Sequence, residues 1–364
     1  MHVHVHVLGV VVRSKGARAE VEPLELAAPG DGEVLVRLQA SGVCHSDLHY
    51  KLGALGDDFP YLLGHEGAGV VEAVGSGVTQ VGPGEYVALT YRAPCLHCRF
   101  CRVGRLHNCV TPVTATTHAT APGGERITPA LDLGTLATRV MVAEGQAVPI
   151  PVACPPAVAA LLGCGVSTGV GAVLNAAQVE PGASVVVFGI SGVGANVVMG
   201  ARLAHATTII AVDTSAQKLA TAEALGATHT ILATEGDIPE RVRAITGGNG
   251  AGYAFDAVGL PATLRQAIES LEYRGTAVLI GLPSATAALG LPMLPYFFNG
   301  TTMRVSLGGD VLPSRDLPRL VDHYLAGDLD LDSLVSREIR LDDVDDAFDA
   351  MTRGDVMRSV VVFD

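Results

Sequence analysis

The chain lacks tryptophan and is poor in aromatic residues, with 8 Tyr and 8 Phe among 364 residues. It also lacks internal repeats and low-complexity tracts, so no segment has the composition of a disordered region. Hydrophobic residues make up 49% of the chain, with 43 Gly and 20 Pro, a composition typical of globular proteins. Because 364 residues exceed what one hydrophobic core usually supports, we expect two domains.

Basic residues are scarce: 24 Lys and Arg face 37 Asp and Glu, for a formal net charge of −13. A negative field of this size repels nucleic-acid phosphates and anionic membrane surfaces. We therefore expect small-molecule partners, with neither nucleic acid nor membrane among them.

The chain also lacks the pattern of a secretory signal, because its first 16 residues alternate at the period of a strand. Three histidines on one face of this expected first strand are interpreted as solvated rather than metal-binding: His2, His4 and His6. The uncharged segment 145–179 is long enough to cross a bilayer, but prolines and glycines interrupt it. No membrane span is predicted, and a cytoplasmic location is expected.

Cysteine is rare as well, with seven residues, of which four lie in "APCLHCRFCRVGRLHNC" at 93–109. Thiols stay reduced in the cytosol, so this C-x2-C-x2-C-x7-C spacing predicts a tetrahedral zinc–thiolate site. Four thiolates leave no open coordination position, which indicates a structural role. Arginines nearby would suit a nucleic-acid-binding zinc module, but the net charge argues against it. The predicted ligands are Cys95, Cys98, Cys101 and Cys109.

The remaining cysteines are Cys44 in "GVCHSDLH", Cys154, and Cys164 in "LGCGVSTG". Between the first and the last lies "LLGHEGAGVVEAVG", with His65 followed by Glu66. A Cys–His–Cys set of Cys44, His65 and Cys164 matches a catalytic zinc site with an open fourth position, the arrangement known from alcohol dehydrogenase. A lone cysteine in an apolar segment is more often a small buried hydrophobe, so spacing by itself leaves both interpretations open.

From about Val166 the sequence alternates strand and helix patterns. An apolar strand at 184–188 leads into a glycine turn, a helix predicted to start near Ala195, and a second strand that ends at Asp213. This order is typical of a dinucleotide-binding βαβ unit, whose turn brings the pyrophosphate to a helix N-terminus. A carboxylate at Asp213 favours NAD over NADP. Ser191 departs from the pattern, because it stands where the G-x-G-x-x-G motif has its middle glycine. The residues of the glycine turn are Gly189, Ile190, Ser191, Gly192, Val193 and Gly194.

With these motifs in this order, the chain resembles the zinc-dependent medium-chain alcohol dehydrogenases over almost its whole length. The resemblance implies an α/β protein with a GroES-like, mostly-β catalytic domain at 1–165 and 309–364, including a structural-zinc lobe at about 93–110. A Rossmann domain with a doubly wound parallel sheet would occupy 166–308. It also implies two zinc ions per subunit, NAD, and a homodimer or homotetramer, in which apolar strands near 301–307 could pair.

The resemblance further assigns roles to individual residues. Cys44, His65 and Cys164 would hold the catalytic zinc, with Glu66 as a possible transient ligand. Ser46 and His49 would relay a proton, or instead be a turn residue and a solvated helix residue. Asp47 would orient His65. The implied cofactor-binding residues, besides the glycine turn and Asp213, are His45, Thr168, Lys218, Val258, Ile280, Gly281, Leu282 and Arg358. The alternative interpretations are a solvated helix lysine for Lys218 and an ordinary surface arginine for Arg358.

Within the family, the C-terminal stretch 320–363, "DFPYLLGHE" and "YRAPCLHCRFC" resemble the mycothiol-dependent formaldehyde dehydrogenases. "MRVSLGGD" at 303–310 departs from the bulkier aromatic sequence expected there. The leading hypothesis is NAD-dependent oxidation of the formaldehyde–mycothiol hemithioacetal to a formyl thioester. The alternatives are a general primary or aromatic alcohol dehydrogenase, working as an aldehyde reductase in reverse, and a biosynthetic dehydrogenase with a specialised alcohol substrate. A zinc-stabilised binding protein without turnover is disfavoured because the catalytic set is complete.

Overall fold

The computed structural model describes residues 5–364. The strands, in chain order, are β1 (Val5–Val12), β2 (Glu20–Leu26), β3 (Glu33–Val43), β4 (Tyr61–Leu62), β5 (Glu66–Val74), β6 (Tyr86–Leu89), β7 (Thr128–Pro129), β8 (Arg139–Ala143), β9 (Ala147–Pro149), β10 (Ser184–Phe188), β11 (Thr208–Asp213), β12 (His229–Leu232), β13 (Ala251–Asp256), β14 (Leu271–Leu279), β15 (Thr302–Val305), β16 (Val335–Ile339) and β17 (Arg358–Val362).

The α-helices are α1 (His45–Lys51), α2 (Arg99–Arg102), α3 (Pro156–Leu161), α4 (Ser167–Gly171), α5 (Gly192–Leu203), α6 (Ala216–Leu225), α7 (Ile238–Ile245), α8 (Pro261–Glu269), α9 (Met293–Asn299), α10 (Pro313–Leu325) and α11 (Val344–Arg353). Two π-helical segments, Leu162–Val166 and Ala172–Ala177, adjoin α4.

The described chain forms two compact units. Unit 1 contains the described residues up to Cys164, together with Leu312–Gly327 and Leu331–Asp364. Unit 2 contains Gly165–Val311 and Asp328–Asp330. The chain thus changes unit after residues 164 and 311, whereas the sequence places the domain boundaries after residues 165 and 308.

Unit 2 is built on a six-stranded sheet in the order β12-β11-β10-β13-β14-β15, and all its strand pairs are parallel. This order, with helices between successive strands, confirms the predicted doubly wound fold. The strands β10 and β11 are continuous apolar runs because helices cover both faces of such a sheet. Ligands bind such sheets at the carboxyl ends of the strands, near the point where the strand order reverses.

One helix boundary in unit 2 was predicted wrongly, because α5 begins at Gly192 and not near Ala195. Ser191 is the extended N-cap residue (φ −111°, ψ −168°), so Gly192 and Gly194 already belong to the first helical turn. A Cβ on Gly194 would come within 1.8 Å of the Gly189 carbonyl oxygen. This glycine is therefore required by close packing of the helix on the turn, and not by a turn conformation.

Unit 1 is mostly β-structure, as predicted. Its larger sheet has the order β16-β17-β3-β5-β6-β9, with β8 also paired to β3, and a second sheet has the order β2-β1-β4-β7. The long strand β3 pairs antiparallel with both β17 and β5, which places Val43 beside Ser359 and Gly42 beside Glu66. The register of three strands thus fixes what surrounds the carboxyl end of β3.

The apolar segment noted in the sequence forms a helical stretch, Pro156–Ala177, the one stretch in residues 5–364 that is long and apolar enough to cross a membrane. Within its most apolar window, 83% of the residues are buried inside the protein. Such burial is what a core helix shows. Of the four prolines in the segment 145–179, Pro149 and Pro151 precede the helical stretch. Pro155 is its N-cap and Pro156 lies in its first turn, where proline is tolerated.

The N-terminal strand is present as β1, paired along its length with β2. His6 is exposed on this strand and lies opposite Glu25, and the described part of the chain gathers no metal-ligand set around it. His2 and His4 lie outside the described residues.

Candidate active site and metal centres

The four-cysteine segment forms a compact sulfur cluster. Cys98 caps α2 and Cys101 lies within it, while Cys95 and Cys109 flank this short helix in the sequence. All four sulfur atoms lie within 4.8 Å of one another. The Sγ of Cys101 is 4.0 Å from that of Cys95 and 3.6 Å from that of Cys98. Zinc–sulfur bonds of about 2.3 Å in a tetrahedron require sulfur separations of about 3.8 Å, so the cluster fits a zinc ion.

Hydrogen bonds to sulfur prepare this cluster for a cation. The Thr111 hydroxyl donates to Cys95 Sγ (3.2 Å), the Cys98 amide donates to the same sulfur (3.3 Å), and the Cys95 amide donates to Cys109 Sγ (3.3 Å). The bond from Thr111 is the main reason that the pKa of Cys95 falls to about 5. Donors of this kind favour the thiolate form that binds metal.

A second cluster joins Cys44, His65, Glu66 and Cys164, whose candidate ligand atoms also lie within 4.8 Å of one another. His65 Nε2 is 3.3 Å from Cys164 Sγ. Cys164 lies in the π-helical segment Leu162–Val166, an irregularity often found at functional sites. A Cβ at Gly163 would stand 1.8 Å from the Leu89 carbonyl oxygen, so the helix reaches this position only with glycine there.

Asp47 ties the second cluster together. It is fully buried, and its Oδ1 lies 3.0 Å from His65 Nδ1 and accepts the Gly64 amide at 3.0 Å. Its Oδ2 accepts the Cys44 amide at 3.1 Å, which closes the first turn of α1. In the neutral imidazole, a proton on Nδ1 that is donated to this carboxylate leaves Nε2 with the lone pair that a metal requires.

Burial and charge shape the titration of this cluster. A hydrogen bond from the Cys164 thiol holds the pKa of Cys44 well below its usual value. Burial opposes the charged form of His65, but the Asp47 carboxylate raises its pKa well above the usual value. Burial also raises the pKa of Glu66 to about 7. Two sulfurs and one imidazole nitrogen form a donor set that suits zinc and leaves a fourth position open.

Arg358 completes the surroundings from the start of β17. Its side chain is buried, and it donates to Glu66 Oε1 at 3.0 Å and to the Val43 carbonyl oxygen at 3.5 Å. The alternative of an ordinary surface arginine is therefore wrong. Glu66 Oε2 is buried without a hydrogen-bond partner among the described residues.

The predicted relay residues follow Cys44 on α1. Ser46 and His49 are half-buried, and His49 Nδ1 is buried without a hydrogen-bond partner among the described residues. His49 is thus only partly exposed on α1. His45, the first residue of α1, is exposed.

In unit 2 the glycine turn follows β10, as the motif predicts. Gly189 has φ +85°, and a Cβ there would come within 2.5 Å of a methyl group of Val258. Asp213 ends β11 beside the turn, where its Oδ2 accepts the Ile190 amide at 2.7 Å and its Oδ1 accepts the Ser215 amide at 2.9 Å. Ser191 has no side-chain capping bond at the start of α5.

The remaining predicted cofactor residues lie in four segments of unit 2. Lys218 is in the first turn of α6, which Ser215 caps, and Thr168 is in α4. Val258, Ile280, Gly281 and Leu282 follow the carboxyl ends of β13 and β14. Asp256, the buried last residue of β13, was not predicted from the sequence. A carboxylate at the end of an apolar strand was the available signal.

The departure at "MRVSLGGD" has a packing reason at one position. Gly309 has φ +74°, and a Cβ there would meet the Ser167 carbonyl oxygen at 2.0 Å. The loop after β15 therefore contacts the backbone of α4 directly, and an aromatic side chain at Gly309 has no room.

Comparisons with known proteins agree with this architecture. Residues 30–152 match the alcohol dehydrogenase GroES-like domain family, and residues 192–326 match the zinc-binding dehydrogenase family. The chain is 34% identical over 364 residues to geraniol dehydrogenase of Castellaniella defragrans, covering 97% of this chain and 96% of that protein. It is 36% identical over 366 residues to S-(hydroxymethyl)glutathione dehydrogenase of Escherichia coli O1:K1 / APEC, covering 96% and 98%.

Two solved structures are similar over nearly the full length. An alcohol dehydrogenase zinc-binding domain protein from Burkholderia ambifaria has a TM-score of 0.95 and 36% identity, with 100% of both chains covered. Benzyl alcohol dehydrogenase from Acinetobacter calcoaceticus has a TM-score of 0.93 and 28% identity, covering 99% of this chain and 100% of that one.

Proposed function

Because the chain belongs to the zinc-dependent medium-chain alcohol dehydrogenase family and is a zinc-binding, NAD-dependent oxidoreductase, we propose that its second cluster is the catalytic centre. In this proposal Cys44, His65 and Cys164 hold the catalytic zinc, and the four-cysteine cluster holds the structural zinc. The observation that carries the proposal is the convergence of two thiols and one imidazole within 4.8 Å in unit 1. The reaction is two-electron oxidation of a substrate CH–OH group by hydride transfer to NAD⁺, which converts a hemithioacetal to a thioester or a primary alcohol to an aldehyde.

When bound, the zinc ion supplies a Lewis acid that lowers the pKa of the substrate hydroxyl, and NAD⁺ supplies the hydride acceptor. The side chains of the protein do the rest. Asp47 holds His65 in one tautomer, and Glu66 is held by Arg358 through Oε1. Ser46 Oγ would take up the substrate proton, and His49, whose Nδ1 has no protein partner among the described residues, would pass it to solvent.

The cofactor preference is proposed from Asp213. Its carboxylate stands beside the glycine turn and already accepts two backbone amides. A carboxylate at this place can also accept from ribose hydroxyls, and its charge repels a 2′-phosphate. We therefore propose that NAD is preferred to NADP.

The leading substrate hypothesis is the hemithioacetal of formaldehyde and a low-molecular-weight thiol, mycothiol first. The S-(hydroxymethyl)glutathione dehydrogenase relatives support the reaction type. Mycothiol carries no carboxylate, whereas glutathione carries two, so the net charge of −13 disfavours the glutathione adduct. The second candidate is an apolar allylic or aromatic alcohol, which the geraniol dehydrogenase relative and the benzyl alcohol dehydrogenase structure favour.

One experiment separates these substrates. NADH formation is measured with formaldehyde alone, with formaldehyde plus mycothiol or plus glutathione, and with geraniol and benzyl alcohol. Stimulation by mycothiol supports the leading hypothesis. Turnover of geraniol or benzyl alcohol with no stimulation of formaldehyde oxidation by either thiol overturns it in favour of the second candidate.

The ligand assignment is tested by zinc stoichiometry with a matched control in the same chain. Cys44→Ala is expected to lower zinc from two ions per chain to one and to abolish turnover. Cys154→Ala changes another buried cysteine, which lies outside both clusters, and is expected to keep both ions and turnover. Two ions in Cys44→Ala would contradict the assignment.

We also propose that two copies pair through the edge of the unit 2 sheet. Strand β15 is the edge strand, and all four of its residues are exposed. The exposed apolar residues of β15 and of α9, the helix that precedes it in the chain, are called here the β15 face: Met293, Leu294, Phe297, Phe298, Met303 and Val305. Exposed apolar edge strands are aggregation-prone unless covered. A second copy can extend the sheet and cover this face.

Light scattering after size exclusion tests this pairing. Val305→Lys is expected to yield monomers, whereas Leu8→Lys, at an exposed apolar strand position in unit 1, is expected to leave the assembly unchanged. An unchanged mass for Val305→Lys would rule out the β15 face.

A reducing compartment such as the cytoplasm is proposed because all seven cysteines are free thiols.

A further inference from the structure

Asp256 is a buried carboxyl group that the proposed chemistry does not use. It ends β13, has no exposed surface, and its Oδ2 lacks a hydrogen-bond partner among the described residues. A buried polar atom without a partner costs stability, so the residue needs an explanation that packing does not supply.

The other carboxyl oxygen organises the loop after β13. Asp256 Oδ1 accepts the Val258 amide at 3.0 Å, the Gly259 amide at 3.3 Å and the Thr263 hydroxyl at 3.1 Å. Thr263 also donates to the Leu260 carbonyl oxygen at 3.0 Å, so its hydroxyl hydrogen is shared between two acceptors at the start of α8. One oxygen atom thus fixes the path of the chain from β13 into α8.

The backbone of Asp256 organises a second loop. Its carbonyl oxygen accepts the amides of Ile280 and Gly281, both at 2.9 Å, directly after β14. The two loops are in backbone contact, because a Cβ on Gly259 would meet the Gly281 carbonyl carbon at 2.7 Å. A displacement of either loop therefore moves the other.

A third segment, the glycine turn after β10, contacts the first loop. The Ala257 amide donates to the Phe188 carbonyl oxygen at 2.9 Å, and a Val258 methyl group lies directly over the Cα of Gly189. The three segments that meet at Asp256 contain most of the proposed cofactor-binding residues. From this juxtaposition we infer that Asp256 is a positioning residue that holds the nucleotide-binding edge of unit 2 in its binding conformation. This inference rests on the proposed NAD-dependent function.

The chemistry of the carboxyl group determines the best variants. Burial disfavours the charged form of Asp256 and raises its pKa above the usual value. Asparagine keeps an acceptor at the Oδ1 position and places an amide nitrogen where Oδ2 stands. Alanine removes the acceptor for all three donors.

The test measures NADH binding to the zinc-loaded enzyme by fluorescence titration, without substrate. We expect Asp256→Ala to raise the Kd for NADH by about tenfold or more, since three donors lose their acceptor. Asp256→Asn is expected to restore the Kd to within about threefold of wild type. Steady-state kinetics should show the larger change in KM for NAD⁺, with a smaller change in kcat. Hydrogen exchange of the unliganded enzyme should rise at 257–263 and 280–283.

A matched control separates positioning from general destabilisation. Asp237 caps α7, and its Oδ1 accepts the Glu240 amide at 2.8 Å, within unit 2 but in none of the three segments. Asp237→Ala is expected to lower thermal stability and leave the Kd for NADH unchanged. If Asp256→Ala does not fold, Thr263→Val removes a single bond and should raise the Kd by about two- to fivefold.

The outcomes are distinguishable. Wild-type protein that does not bind NADH contradicts the proposed function. Wild-type protein that binds NADH, with Asp256→Ala binding equally well, overturns the inference about Asp256. An unchanged Kd in Thr263→Val overturns it when the alanine variant does not fold.

Discussion

Replacing Asp47 with asparagine tests how the proposed catalytic metal site is built. The carboxylate serves three donors: His65 Nδ1 at 3.0 Å, the Gly64 amide at 3.0 Å and the Cys44 amide at 3.1 Å. A carboxamide has one acceptor oxygen, and its NH₂ group would face a donor on the other side. Two of the three donors belong to the proposed zinc ligands His65 and Cys44, so the substitution weakens the hydrogen bonds that position both ligands.

The size of the effect follows from these contacts. Loss of a carboxylate that orients a ligand histidine typically lowers metal affinity by about 10- to 100-fold. That range corresponds to about 1.4 to 2.8 kcal/mol. The side chain is fully buried, so water does not substitute for the lost acceptor. We therefore expect the upper part of the range for Asp47→Asn.

The four-cysteine cluster provides an internal reference for the assay. Zinc release to a chromophoric chelator is titrated in wild type and in Asp47→Asn, and each protein is expected to show two classes of site. The class assigned to the four cysteines should keep its affinity, because Asp47 lies outside that cluster. Circular dichroism checks that the variant is folded.

If each class of zinc were released at the same chelator midpoint in the variant as in wild type, the reasoning would be refuted. So would a variant in which both classes weaken together, because this pattern indicates a global loss of stability. A selective loss at one class, accompanied by a fall in turnover, is the expected result.

Three further predictions concern stability, cofactor choice and the lobe. Glu33 accepts hydrogen bonds from Thr117 that overcome the opposing effect of burial and lower its pKa to about 2, so its contribution to folding stability is complete above about pH 4.5 and lost as the pH falls toward 2. In urea unfolding, Glu33→Gln should therefore lower the free energy of unfolding by about 2 to 3 kcal/mol at pH 7 and by much less at pH 3. An equal loss at both pH values would contradict this. Asp213→Gly should shift the ratio of kcat/KM values toward NADP⁺ by about tenfold or more; an unchanged ratio counts against its role. Cys101→Ser should remove one zinc ion and lower the melting temperature while turnover persists at low temperature; two retained ions would contradict the lobe assignment.

Local patterns made much of this protein predictable. The apolar strands and glycine turn of unit 2 follow from residues that are neighbours in sequence, and the parallel sheet is as expected. Because local rules set approximate boundaries, the start of α5 was misplaced by three residues, from Gly192 to Ala195. The contact of Gly194 with Gly189, which distinguishes the two possibilities, is a packing fact that spacing does not express.

The sequence by itself determined the four-cysteine cluster, because its ligands lie within 15 residues and one short loop can bring them together. It also determined the order of the βαβ unit that places Asp213 beside the glycine turn. Only the tertiary structure decided that His65 meets Cys164, 99 residues away, and that Arg358 pairs with Glu66, 292 residues away. The register of β17, β3 and β5 sets the contacts around Arg358 and Glu66. Such register depends on burial summed over whole strands, so no local motif contains it.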